Sequence, residues 1–185
     1  MITTPPHVRI PAVLASALLF LYGVLRLVDG LDGDHGPGPA WNLGHAFFLV
    51  AFVALGILTI GLRQVAPAVT VRTRLLANLA TVAGLFGVAC FLWVILGDLF
   101  AGLRDAAPLP DPLEMIGPIL FQLGILTLLT MLVTTRPRRL PAWSPVLVFT
   151  GFLSIGVNLD LLPVGALLIL AGLAPLTRTR AYALR

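Results

Sequence analysis

Residues 41–62 read WNLGHAFFLVAFVALGILTIGL, 22 residues in a row without an acid, a lysine or an arginine. An α-helix rises 1.5 Å per residue, so this run is about 33 Å long, enough to cross the ~30 Å hydrocarbon core of a bilayer. The rest of the chain has the same character. Of 185 residues, 58% are apolar and 11% charged, with a mean hydropathy of +1.01, whereas about a quarter of a typical soluble domain is charged. Lipid, not water, is the expected solvent.

Working outward from residues 41–62, five further apolar runs lie at 11–28, 75–97, 112–133, 142–157 and 161–176. The expected fold is therefore all-α, a polytopic integral membrane protein forming one bundle of six transmembrane helices from the single unit 1–185. Pro11 suits the first turn of the first helix. Asp29-Gly-Leu-Asp32 follows that run in place of a small-residue cleavage pattern, so it reads as a retained helix. The 35 residues from Ala142 to Leu176 are too many for one span. Asn158-Leu159-Asp160 with Pro163 supplies a break, with Asp160 as the expected N-cap. The alternative is four spanning helices plus a re-entrant C-terminal hairpin. Spanning is favoured, because re-entry would bury Asp160 near the bilayer centre at roughly 2.5–3.5 kcal/mol.

Charge orients the bundle. All 12 basic residues are arginine, which excludes Schiff-base chemistry through lysine and a Walker-type phosphate lysine. Ten of them (Arg9, Arg63, Arg72, Arg74, Arg136, Arg138, Arg139, Arg178, Arg180 and Arg185) fall on one side of a six-span chain. All eight acids, with only Arg26 and Arg104, fall on the other. The positive-inside rule then places both termini in the cytoplasm, in a bacterial inner membrane by the arginine-only, Ala/Leu/Gly-rich composition. A pI near 10.6 does not imply nucleic acid, since the arginines are dispersed between apolar runs and form no basic face. The expected surroundings are the lipid bilayer, with a membrane protein partner or a homo-oligomeric copy. Two overlapping small-xxx-small pairs, Ala80/Gly84 and Ala83/Gly87, predict close helix packing by the third run and place it at the bundle centre.

The chemically unusual residues gather at the acidic end. Arg26 stands inside the edge of the first run, where a cation either snorkels or meets an acid, and Asp98 or Glu114 are its expected partners. Asp98 closes the third run at a helix C-terminus, where the dipole disfavours a carboxylate, so Arg26 or Arg104 is expected beside it. Asp111-Pro-Leu-Glu114 has the form of a capping box with Asp111 at the N-cap. His45 is the one histidine within a predicted span, which argues against a bis-histidine haem. Asp32, Asp34 and His35 form a candidate divalent-metal set whose spacing matches no specific motif. Ser154 and Cys90 read as packing residues. The polar cluster Arg26, His45, Asp98 and Glu114 is the candidate site. No catalytic motif and no cofactor-binding motif is recognised, so the functional expectation is a non-enzymatic structural or partner-binding membrane component with an acidic outer face. The alternative is a small transporter or proton-coupled carrier built on that cluster.

Overall fold

The computed structural model of the chain describes residues 4–33, 35–135 and 138–177; of Asp32 it describes the backbone alone. Among these residues there are seven α-helices and no strand: α1 (Pro6–Asp29), α2 (Pro39–Val65), α3 (Val71–Leu99), α4 (Ala101–Ala106), α5 (Asp111–Thr134), α6 (Trp143–Val157) and α7 (Leu162–Leu173). Short 3-10 turns extend α7 at both ends, Leu159–Leu161 and Ala174–Leu176. Four long helices and the Leu159–Leu176 unit are apolar enough to cross a membrane, with mean hydropathies of 2.0 to 2.4, while α6 has 15 residues. The chain is an all-α multi-pass membrane protein.

Local chemistry sets the helix ends. α1 begins at Pro6, before Pro11, because a proline at the first helical position has no amide hydrogen to leave unpaired. Thr70 caps α3: its hydroxyl accepts from the Thr73 amide at 3.1 Å, and the Thr73 hydroxyl accepts from the Thr70 amide at 3.0 Å. The capping box expected at Asp111 does not form. Pro110 is the N-cap, Asp111 is already helical and no side chain caps the end. Asp111 and Glu114 instead lie in the first turn, where the helix dipole favours negative charge. At the α6–α7 turn the cap is Asn158, not Asp160: Asn158 Oδ1 accepts from the Asp160 amide at 2.8 Å.

The six longer helices close into a ring. α1 packs on α2 and α7, α2 on α3, α3 on α5, α5 on α6, and α6 on α7, with α2 and α5 also touching across the middle. Aromatic rings run through the centre: Tyr22 stacks on Phe48 with centroids 4.3 Å apart, and Phe48, Phe52, Phe91, Phe121 and Phe152 follow at 4.1 to 5.9 Å. Leu55, Leu58, Ile125 and Leu128 complete this core at 0% exposure. The outward faces carry exposed Leu14, Val50, Ile57, Leu79, Val82, Ile119 and Leu167, an apolar belt that suits lipid.

α3 is not the central helix; α2 is the more buried. The small residues of α3 are tightest along its seam with α5. A Cβ on Gly124 would lie 2.5 Å from the Gly84 nitrogen, and one on Gly117 would lie 2.5 Å from Cys90 Cβ. The repeated Leu-Gly-Ile-Leu-Thr segments at 55–59 and 123–127 flank Gly84, with Thr59 on one side and Gly124 on the other. α6 and α7 meet equally closely at Gly151 and Gly165.

The ends of the α6–α7 hairpin bear on spanning against re-entry. Asp160 in its turn meets Arg26, one turn from the end of α1, and Gly23 of α1 packs on Pro163. At the other end, Arg139 donates to the Val65 carbonyl at the close of α2, 2.6 Å away. The hairpin thus runs from one end of the bundle to the other, and its turn lies level with the loops and not at mid-depth.

The glycine seam yields a paired prediction. Gly124→Ala lowers stability in detergent by about 1–3 kcal/mol, the usual range for an overpacked site. Gly102→Ala, where nothing lies within 4 Å, is neutral or slightly stabilising. Thermal unfolding of the two purified variants checks this, and equal melting temperatures would contradict the seam.

Candidate polar site at the acidic end

His45 organises this end. It lies nearly two turns into α2 and is 3% exposed. Its Nδ1 is 2.9 Å from the Trp41 carbonyl oxygen. A carbonyl can only accept, so Nδ1 carries a hydrogen and Nε2 is left to face the interior polar groups. There the Tyr22 hydroxyl stands 3.5 Å away and Asp98 Oδ2 3.6 Å away. The ring also packs against the Trp41 indole, with centroids 4.1 Å apart. Three helices therefore meet at one imidazole: α1 through Tyr22, α2 through His45 and α3 through Asp98.

Asp98 answers the sequence argument that a carboxylate at a helix C-terminus needs a cation. Phe100 leaves the helical conformation, with φ −127° and ψ 90°, and α4 folds back over the end of α3. That places Arg104 on Asp98 Oδ1. A second tie holds α4, since Trp93 Nε1 donates to the Ala107 carbonyl at 2.9 Å. Trp41 Nε1 points to the Asp98 carbonyl at 3.5 Å. The two tryptophans thus reach the main chain at the end of α3 and at the end of α4.

Arg26 does not pair with Asp98 or Glu114. Its Nε lies 3.5 Å from Asp160 Oδ1, with the arginine side chain 17% and the aspartate 52% exposed. Arg26 lies on the helix face between Tyr22, four residues earlier and turned to α2, and Gly23, three residues earlier and packed on Pro163 of α7, and its Nε reaches the hairpin side. Asp29, at the end of α1, has His35 Nδ1 3.6 Å from its Oδ2.

Glu114 is exposed and projects into a groove between α3 and α5. One hollow there, of about 260 Å³, is bounded by Asp98, Arg104, Trp93 and Glu114. The four candidate residues thus divide: His45 and Asp98 touch, Glu114 shares a groove with Asp98, and Arg26 belongs to a separate pair. Of the candidate metal set, Asp34 and the side chain of Asp32 lie outside the described residues, and His35 turns towards Asp29. Among the described residues no three His, Cys, Asp or Glu side chains gather in a metal-holding group. Ser154 donates to the Gly151 carbonyl of its own helix at 2.8 Å, and Cys90 is buried against Gly117.

Nothing in the sequence pointed to Asp160 as the partner of Arg26, because the contact joins the first helix to the last. The signal for Arg104 was present, since only two arginines accompany the acids at this end.

A double-mutant cycle separates the pairings. Arg26→Ala combined with Asp160→Asn gives a coupling of about 0.5–1 kcal/mol in unfolding free energy, the scale of a part-exposed ion pair. Arg26→Ala combined with Asp98→Asn is additive. The opposite pattern would restore the Asp98 pairing.

No protein-family model, curated protein or solved structure matches this chain.

Proposed function

We propose that the chain is a non-enzymatic component of a bacterial inner membrane, with both termini on the cytoplasmic side. Its acidic outer face binds a cationic surface of a membrane protein partner or of a second copy. The observation that carries this reading is the way charge is divided at that end. Each ion pair there has one buried or part-buried member and joins two elements, as Arg26–Asp160 and Arg104–Asp98, with the His45 ring 3.6 Å from Asp98. Asp105, Asp111 and Glu114 are exposed and take part in no ion pair among the described residues. The inner network stiffens the end of the bundle, and the outer acids remain for a partner.

A carrier is the second reading, favoured by one contact: His45 and Asp98, 3.6 Å apart beside Tyr22, are groups able to hold a proton. The interior beneath them weighs against it. Phe52, Leu55, Leu58, Phe121, Ile125 and Leu128 fill the centre, none more than 2% exposed. The other buried polar side chains among the described residues are Ser16, Thr59 and Ser144. Each hydroxyl donates to a main-chain carbonyl, of Ala12, Leu55 and Gly172 respectively, so none continues a proton path from His45.

Liposomes loaded with a pH-sensitive dye distinguish the two. Under an imposed proton gradient, vesicles containing the protein acidify at the rate of protein-free vesicles. Faster acidification that Asp98→Asn abolishes would replace this reading with the carrier. Orientation is tested in the same vesicles: with Cys90→Ala as background, Leu159→Cys, 44% exposed at the hairpin turn, reacts with a membrane-impermeant maleimide from the side opposite the termini. Labelling from the side of the termini would overturn the topology.

A further inference from the structure

The groove beside Glu114 is the part of the acidic end that the inner network leaves unfilled. It has two adjoining compartments, one carrying three charged side chains among apolar residues and the other apolar except for Glu114. The first, about 260 Å³, is walled by Asp98, Arg104, Glu114 and the Trp93 ring. The second, about 200 Å³, is walled by Cys90, Phe91, Leu113 and Pro118. Val94, Leu109 and Glu114 border both, so the two adjoin. Each alone falls below the roughly 300 Å³ at which small-molecule sites begin, and the adjoining pair does not. A charged compartment next to an apolar one, on a bundle surrounded by lipid, is complementary to an amphiphile.

The charges indicate which amphiphile. Asp98 is already engaged by Arg104 and His45. Glu114 has no ion-pair partner among the described residues and offers a free carboxylate, and exposed Asp105 and Asp111 add negative potential nearby. An anionic head group is repelled there, and a cationic one is attracted. Arg104 meets Asp98 through Nη2, and a guanidinium carries five N–H donors, so donors remain for a phosphate oxygen. The Trp93 ring beside these groups can receive an ammonium over its face.

We infer that the groove between α3 and α5 binds a zwitterionic phospholipid with an ammonium head group, the phosphate on Arg104, the ammonium between Glu114 and Trp93, and the start of one acyl chain in the Leu113–Pro118 compartment. This inference takes Glu114, one of the three exposed acids, into the groove and leaves Asp105 and Asp111 to the partner-binding reading above, so its failure does not bear on those two.

Native mass spectrometry of the full chain in a non-ionic detergent tests it, with phosphatidylethanolamine and phosphatidylglycerol added in equal amounts. The expected result is preferential retention of phosphatidylethanolamine, weakened about two- to fivefold by Glu114→Gln, the scale of one exposed ion pair. Asp111→Asn, outside the groove lining, weakens retention less than Glu114→Gln does, and unfolding temperatures show that both variants are folded. Leu113→Trp, which fills the apolar compartment, also lowers retention. Equal retention of the two lipids, or retention unaffected by Glu114→Gln, overturns the proposal. So does competition by soluble glycerophosphoethanolamine at the same concentration as the lipid, because the acyl compartment would then contribute nothing.

Discussion

Helices already dissolved in hydrocarbon gain little hydrophobic free energy by meeting one another. Everything that joins this bundle must come from close packing or from polar contacts, and among the described residues the ion pairs gather at one end. Packing is tightest along the glycine seams, where Gly84 and Gly124 bring α3 and α5 together and Gly151 and Gly165 do the same for α6 and α7. Without side chains at these positions the backbones approach within van der Waals range, and dispersion between many atom pairs replaces the missing hydrophobic drive. The aromatic series from Tyr22 to Phe152 then links five helices across the centre with rings that need no polar partner.

Polar contacts take over where the bundle ends. A charge in the hydrocarbon is expensive and a charge in water is weakly coupled, so the boundary is where an ion pair is both tolerable and effective. Arg26, His45 and Asp98 all sit there. Their partners lie on different helices, so the network closes the ring at one end: Asp160 joins the last hairpin to α1, His45 joins α2 to α1 and α3, and Arg104 lays α4 over α3. α4 has six residues and no buried side chain. It is held by Arg104 and by the Trp93–Ala107 bond, and by lying where it does it forms one wall of the groove.

Much of the site was legible as a set of anomalies. Arg26 within an apolar run and Asp98 at a helix C-terminus each violate a local preference, and each was expected to have a partner on that ground. The identity of the partner was less legible. Asp98 had two candidate arginines, and the backbone break at Phe100 decided for Arg104. Glu114 shows the converse. Its spacing from Asp111 fits a capping box, yet Pro110 takes the N-cap, and the freed carboxylate turns to the groove.

The apolar runs and their punctuation by themselves determined the fold class, an all-α multi-pass membrane protein, because in lipid a backbone that cannot bond to water must bond to itself within each segment. The same runs, counted, put every acid at one end of the chain's path through the bilayer. Which helices touch was decided only in the tertiary structure. The seam between α3 and α5, the meeting of α1 with α7 and the position of the α6–α7 turn depend on how six similar apolar cylinders fit side by side. Helical periodicity records which residues share a face, but not which helix that face will meet. That is why the sequence pointed to Arg26 as a residue in need of an acid, and only the closure of the ring brought Asp160 to it.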